Sequence, residues 1–336
     1  MPPGKPREQG AENSMGIFPS KILLATDGSD EANLAAGTAA EIAAGTGSEL
    51  YVVTVFQKSA TVHPYYEVRF PEAAERYLRG AREEIQKVLD KQVERIGKSG
   101  AEVAGAHLKT GEPVGEIVAL AEDMGAGLIV VGSRGLGGVR RALVGSVSTG
   151  VLRHAHCSVL VVRGRVGGRH GEGRVHPPAK LLVAVDGSEE ATAAAGVATE
   201  LAEAFGSEVD VAYAMQEERY RPHLGPEMWE GWEEGFERAK RYARSWVEAE
   251  AQRMKGEGTI KVEPHLLLGR PDAAIVWLAG ETGADLVLVG SRGLGAMRRT
   301  LIGSVSDSVV GHAHCPVMVV RPGKERAAER KADFLT

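Results

Sequence analysis

Cysteine is nearly absent, with 2 in 336 residues, and aromatic side chains make up only 5%. Cys157 and Cys315 occupy matching places in the two halves. They read as one duplicated structural position rather than a disulfide pair, which fits a reducing compartment. No apolar run approaches the roughly 20 residues needed to span a bilayer. The first twenty residues also lack the apolar stretch of a signal peptide, so the expectation is a cytoplasmic protein with no membrane partner. A basic surplus is missing too: the net charge is -5 and the pI about 6.1. That argues against a general grip on nucleic acid, which needs a basic face. What remains is an ordinary globular composition, 43% hydrophobic and 25% charged, in a chain longer than the roughly 250 residues at which single cores stop growing. Two domains are expected.

The two domains are copies. KILLATDGSDEANLAAGTAAEIAAGTGSEL is answered by KLLVAVDGSEEATAAAGVATELAEAFGSEV, and LIVVGSRGLGGVRRALVGSVS by LVLVGSRGLGAMRRTLIGSVS. Asp27 recurs as Asp186, 159 residues on, and Gly132, Gly145 and Cys157 recur 158 residues on. A period that long is a whole domain rather than a solenoid repeat. Within copy one the short β-branched runs ILLAT, LYVVTVF, AGAHLK, LIVVG and SVLVVR read as buried parallel strands. The alanine-rich or amphipathic stretches Asp30 to Thr46, Glu72 to Lys98, Pro113 to Met124 and Ser146 to His154 read as crossover helices. The fold expected is α/β, two tandem five-stranded parallel sheets each covered by helices on both faces, with ligands beyond the strand C-termini. The boundaries predicted are a tail at 1–19, domains at 20–163 and 180–322, a Gly/Arg/Pro-rich linker at 164–179, and a second tail at 323–336.

After the fourth strand comes Gly132, Ser133, Arg134, Gly135, then nine residues, then Gly145, Ser146, Val147 and Ser148 opening a helix. Copy two repeats this with Gly290, Arg292, Gly293, Gly303, Ser304, Val305 and Ser306. Glycines let the backbone approach a ligand closely. The helix start offers free N–H groups and the positive end of its dipole, with the hydroxyls of Ser146 and Ser148 as added donors, so the loop suits phosphates. The alternative is that the glycines only make tight turns and the serines only cap. A G-x-x-x-x-G-K-S/T phosphate loop is excluded for want of the lysine. The dinucleotide fingerprint lacks its third glycine in both copies.

The pattern G-x-x-G, nine residues, G-S, following V-V-G, resembles the ATP-binding motif of universal stress proteins, and both copies match it. The resemblance extends to D-G-S after the first strand and to the closing A-H-C-S/P-V-L/M-V-V-R segment. It implies an adenine-nucleotide alpha-hydrolase-like, Rossmann-like fold. It also implies that Thr26, Asp27 and Val55 meet adenine and ribose, as Val185, Asp186 and Ala214 would in copy two. The phosphates would lie on Gly132, Gly135, Gly145 and Ser146 with Ser148 nearby, and on Gly290, Gly293, Gly303, Ser304 and Ser306, with Mg2+ as the bridging cation. The resemblance further implies that the last strands of the two copies pair, making the single chain a pseudo-dimer. A further homodimer is compatible with this, but the sequence offers no interface for it.

Several readings stay open. Asp27 and Asp186 suit N-caps as well as a ribose. Arg134, Arg140 and Arg141, with Arg292, Arg298 and Arg299, suit a triphosphate or plain solvent. Val55 against Ala214 and Thr26 against Val185 predict unequal affinities. Tyr65, Tyr66 and Phe70 in copy one, and Tyr220, Trp229 and Trp232 in copy two, suit lids or the anchoring of a surface helix. His154, His156 and Cys157 have zinc-ligand chemistry but run from a helix end into a strand that points alternate residues oppositely. An ATP-binding regulatory protein is the leading reading. A slow ATPase or self-phosphorylating enzyme, with no evident general base, and a nucleotide-free scaffold are the alternatives. Adenylation is disfavoured, because the place of an S-G-G-x-D-S loop reads T-D-G-S-D-E.

Overall fold

A computed structural model describes residues 18–58, 64–135, 144–164, 177–216, 232–256, 258, 260–293 and 302–322. Copy one runs β1 (Lys21–Ala25), α1 (Asp30–Thr46), β2 (Glu49–Phe56), α2 (Pro64–Arg69), α3 (Pro71–Lys98), β3 (Val103–Thr110), α4 (Pro113–Asp123), β4 (Leu128–Gly132), α5 (Ser146–His154) and β5 (Ser158–Val162). Copy two runs β6 (Lys180–Ala184), α6 (Glu189–Phe205), β7 (Glu208–Met215), α7 (Trp232–Lys255), β8 (Val262–Leu268), α8 (Pro271–Thr282), β9 (Leu286–Gly290), α9 (Ser304–His312) and β10 (Val317–Val320).

The ten described strands form one sheet in the order β3-β2-β1-β4-β5-β10-β9-β6-β7-β8. Every neighbour pair is parallel except β5 with β10, which run antiparallel with Leu160 opposite Met318. Each half is therefore a five-stranded parallel sheet, and the halves are joined through their last strands. That join hides two of the four potential edges, so β3 and β8 are the outer edges. The central strands β4, β5 and β9 are buried along their whole length, which is why they read as unbroken apolar runs rather than alternations.

Alanine sets the distance of the first helices from the sheet. Ala32, Ala35, Ala36, Ala39, Ala40 and Ala43 of α1 are buried, as are the matching alanines of α6. Short side chains let both helices lie close to the strands, so their N-termini reach the sheet's C-terminal edge. Both start on a serine cap, Ser29 accepting from the Ala32 N–H and Ser188 from that of Ala191. Apart from Ala32, the buried alanines of α1 and α6 belong to one of the two large apolar clusters that fill the sheet's two faces among the described residues.

The short helix α2 lies inside the segment read as a lid, and Tyr65 and Phe70 at its two ends are exposed. Tyr66 lies within α2; Tyr220, Trp229, Arg140, Arg141, Arg298 and Arg299 lie outside the described residues, as do most of the tails and linker. No described helix is long and apolar enough to cross a membrane.

Candidate functional site

Two helix starts and one loop meet where the strand order reverses, between β1 and β4 in copy one and between β6 and β9 in copy two. This is where sheets of this kind hold their ligands. The D-G-S turn leaves β1 through Gly28, whose φ of 79° belongs to the left-handed region that glycine tolerates; Gly187 repeats it at 83°. The turn folds back on itself: the Ser29 N–H donates to Asp27 Oδ1 at 3.0 Å, and the Ser188 N–H to Asp186 Oδ1 at 3.0 Å. The helix cap is thus the serine. The aspartate sits outside the helix and braces the turn, so the capping role considered for Asp27 and Asp186 falls to their neighbours.

The other carboxylate oxygen explains a loop glycine. A Cβ on Gly135 would stand 2.3 Å from Asp27 Oδ2, and one on Gly293 would stand 2.4 Å from Asp186 Oδ2. Gly132 and Gly290 have a different reason. Their Cβ atoms would meet the α1 backbone at Glu31 and Ala32, and the α6 backbone at Glu190 and Ala191, at 2.8–2.9 Å. These two glycines face helices.

Gly145 and Gly303 are N-caps of α5 and α9 with extended φ of -72° and -80°, and neither helix has a side-chain cap. A Cβ there would sit 3.4–3.5 Å from its nearest neighbours. Among the described residues neither geometry nor space demands glycine, and its effect is to leave the first-turn N–H groups of Ser146 and Val147, and of Ser304 and Val305, without the usual N-cap side-chain acceptor. Ser146 and Ser304 are exposed. Ser148 and Ser306 are buried, each hydroxyl donating at 2.6 Å to the carbonyl of Gly132 or Gly290. Their single protons are engaged, which corrects the expectation that Ser148 and Ser306 add donors to the phosphate loop.

Arg134 donates to Glu31 at 2.9 Å and Arg292 to Glu190 at 2.9 Å, and the Ser29 and Ser188 hydroxyls reach the Arg134 and Arg292 carbonyls. The glutamates are pinned to the sheet side of the loop, with Gly164 N–H donating to Glu31 as well. Sequence reasoning missed Glu31 and Glu190, although D-G-S-x-E is shared by both copies.

At the base end the copies diverge. Thr26 is buried, its N–H bonded to Val53 and its carbonyl taking the Thr54 hydroxyl. Its side chain meets Gln92 of α3 at 3.3 Å. Val185 is an apolar stand-in. Val55 and Ala214 are half-buried near the C-terminal ends of β2 and β7. His154, His156 and Cys157 take separate partners: the Gly150 carbonyl, Glu122, and Arg321 on the Cys157 carbonyl. Burial pushes the Cys157 thiol up to about 11.

Comparison with known proteins gives the same division of the chain. The model of the universal stress protein family matches residues 19–163 and again 179–321. A universal stress protein of Mycolicibacterium smegmatis is 29% identical over 307 residues, covering 90% of this chain and 97% of that protein. A single-domain relative from Thermus aquaticus is 39% identical over 144 residues, covering 42% of this chain and 97% of its own length. Among solved structures, a universal stress protein from Archaeoglobus fulgidus superposes with a TM-score of 0.61 at 23% identity, over 91% of this chain and 97% of that one.

Proposed function

The chain belongs to the universal stress protein family, with two tandem domains, and from that premise we propose that it is an ATP-binding regulatory protein with one nucleotide site in each domain. The observation that carries the reading is the bare start of α5 and α9, left open by Gly145 and Gly303 where no packing among the described residues requires glycine. An uncapped helix start is an anion site, since its N–H groups and the positive end of the dipole point at the same space. Its presence in both copies, each beside an aspartate, fits a ligand with anionic and polyhydroxyl parts.

In this assignment Ser146, Val147 and Gly145 hold the phosphates, Gly135 brings the loop against Asp27, and Asp27 accepts from the ribose hydroxyls. Val55 lines the base. Copy two uses Ser304, Val305, Gly303, Gly293, Asp186 and Ala214. Mg2+ would supply neutralisation of the triphosphate, with Arg134 and Arg292 beside it on their glutamate tethers.

Binding is favoured over turnover because the described carboxylates at the loop already have structural work. Asp27 braces the D-G-S turn and Glu31 holds Arg134, so neither is poised as a base toward an attacking water. The output is then a nucleotide-dependent state of the joined halves, acting as an intramolecular dimer. Equilibrium dialysis with labelled ATP and magnesium tests this. Two equivalents per chain are expected in the wild type and one in Gly303→Asp; no retention at all would remove the reading.

A further inference from the structure

The second copy contains a cavity of about 600 Å3 that borders the D-G-S turn from the α7 side, lined among others by Asp186, Tyr213, Gly235, Arg238, Tyr242 and Trp246. Two rows of α7 make it. Gly235, Ala239 and Ala243 follow one another at four-residue spacing and so do Arg238, Tyr242 and Trp246, which places each row along one stripe of the helix. The first row is small and forms a floor; the second is large and forms a wall. At the far side the Tyr213 ring from β7 meets Trp246 edge-on, with centroids 5.3 Å apart and planes at 63°.

Copy one inverts the pattern. Its floor row is Tyr77, Ala81 and Ile85 and its wall row is Gly80, Glu84 and Val88, with Thr54 in place of Tyr213. Val88 closes on the turn, 2.8 Å from where a Gly28 Cβ would stand, whereas Trp246 keeps 3.6 Å from the same point on Gly187. Glu84 is turned to Lys87. Two features of copy two lack a packing explanation. Among the described residues a Cβ on Gly235 would meet nothing within 4 Å, so glycine in that first helical turn serves no described neighbour. Tyr242 is left 74% exposed at the rim.

We infer that this cavity is a second ligand site, peculiar to copy two, for a flat aromatic compound that carries an anionic group and a ring-linked N–H. Three aromatic side chains supply the apolar, face-and-edge surroundings a planar ring prefers. Arg238 supplies the counter-charge for the anion, and Asp186 the acceptor for the N–H. The volume lies within the usual range for small-molecule sites, roughly 300–1,000 Å3. Asp186 also bounds the phosphate loop through Gly293, so the cavity and the proposed nucleotide site share one wall without sharing their contents.

The probe 1-anilinonaphthalene-8-sulfonate has this chemistry, and its titration into the full chain without nucleotide tests the site. One probe per chain is expected, with energy transfer from Trp246. Gly235→Tyr, which restores the residue of copy one where no described neighbour stands within 4 Å, should weaken the probe at least tenfold with the thermal midpoint retained. Arg238→Gln should weaken it severalfold, while leaving the neutral 1-anilinonaphthalene unaffected. Trp246→Phe should keep the binding and lower the transfer. Saturating ATP should leave the affinity within about twofold. Affinity indifferent to Gly235→Tyr, or transfer indifferent to Trp246→Phe, would place the probe elsewhere and overturn the inference. One-for-one displacement by ATP would overturn the separate site by putting the nucleotide in the cavity.

Discussion

At Gly145 and Gly303 a single missing side chain separates a better helix from a ligand site. Aspartate is a preferred N-cap, and both sites have the extended backbone and, among the described residues, the space to take it. Gly145→Asp and Gly303→Asp should therefore raise the stability of the ligand-free chain by a few tenths of a kcal/mol each, read as a higher urea midpoint. The same carboxylate would repel phosphate. Gly132 makes the contrasting case: its Cβ would strike the α1 backbone, which cannot turn aside as a flexible side chain can. Gly132→Ala should cost about 1–3 kcal/mol, seen as a lowered urea midpoint at unchanged slope. Both glycines stand in one motif and looked alike in the sequence, because a motif records where Cβ is excluded but not what excludes it. The inward turn of Ser148 and the Glu31 tether of Arg134 were hidden for a related reason: they depend on which helix crosses the loop. The D-G-S turn and the bare helix start were legible because their chemistry is local.

Elements were the most readable level. The helices at Asp30–Thr46 and Ser146–His154 carry the bounds expected from serine or glycine at the start and a break in periodicity at the end. Short β-branched runs gave the strands for the same kind of reason, since a strand buried on both faces needs no alternation. The polar network on β7 was not legible, because it joins three strands. Asp210, 1% exposed, lies 2.9 Å from His265 of β8 and 3.3 Å from Lys180 of β6. Burial alone would raise its carboxyl, but the hydrogen bond and charge of His265 and the charge of Lys180 outweigh that and hold it below the ordinary value. Its contribution to stability is then complete above the unfolded aspartate pKa of about 3.9. It is lost as pH falls through the lower folded value. Asp210→Asn should cost roughly 1–3 kcal/mol near neutrality, by weakening the buried hydrogen bond to His265 and removing the partner of half-buried Lys180. Urea titrations from pH 7 to pH 2.5 should show the gap between wild type and variant shrinking only below about pH 4.

Across the whole molecule the two halves hold each other's helix ends. Arg163, just past β5, donates to the carbonyls of Val310, Gly311 and Ala313 at the end of α9. Arg321, just past β10, donates to Leu152 and Cys157 at the end of α5. Phe205 of α6 packs so closely on α1 that a Cβ at Gly45 would lie 2.2 Å from its ring. The helices that present their bare starts to the proposed phosphates are thus fixed at their other ends by the opposite domain. Replacing Arg163 and Arg321 together by methionine should cost about 2–4 kcal/mol, through carbonyls left without charged donors. Calorimetry should then show one transition in the wild type and two in the variant.

The central claim, a nucleotide on each bare helix start, is tested most directly by thermal unfolding with and without ATP and magnesium, in the wild type and in Gly145→Asp/Gly303→Asp. At 100 times the dissociation constant each site adds about 2.7 kcal/mol, which for domains of this size raises the wild-type midpoint by several degrees. The double variant should match or exceed the wild type without nucleotide and show no rise with it. An equal rise in both proteins would contradict the account, since ATP would then bind without the helix starts.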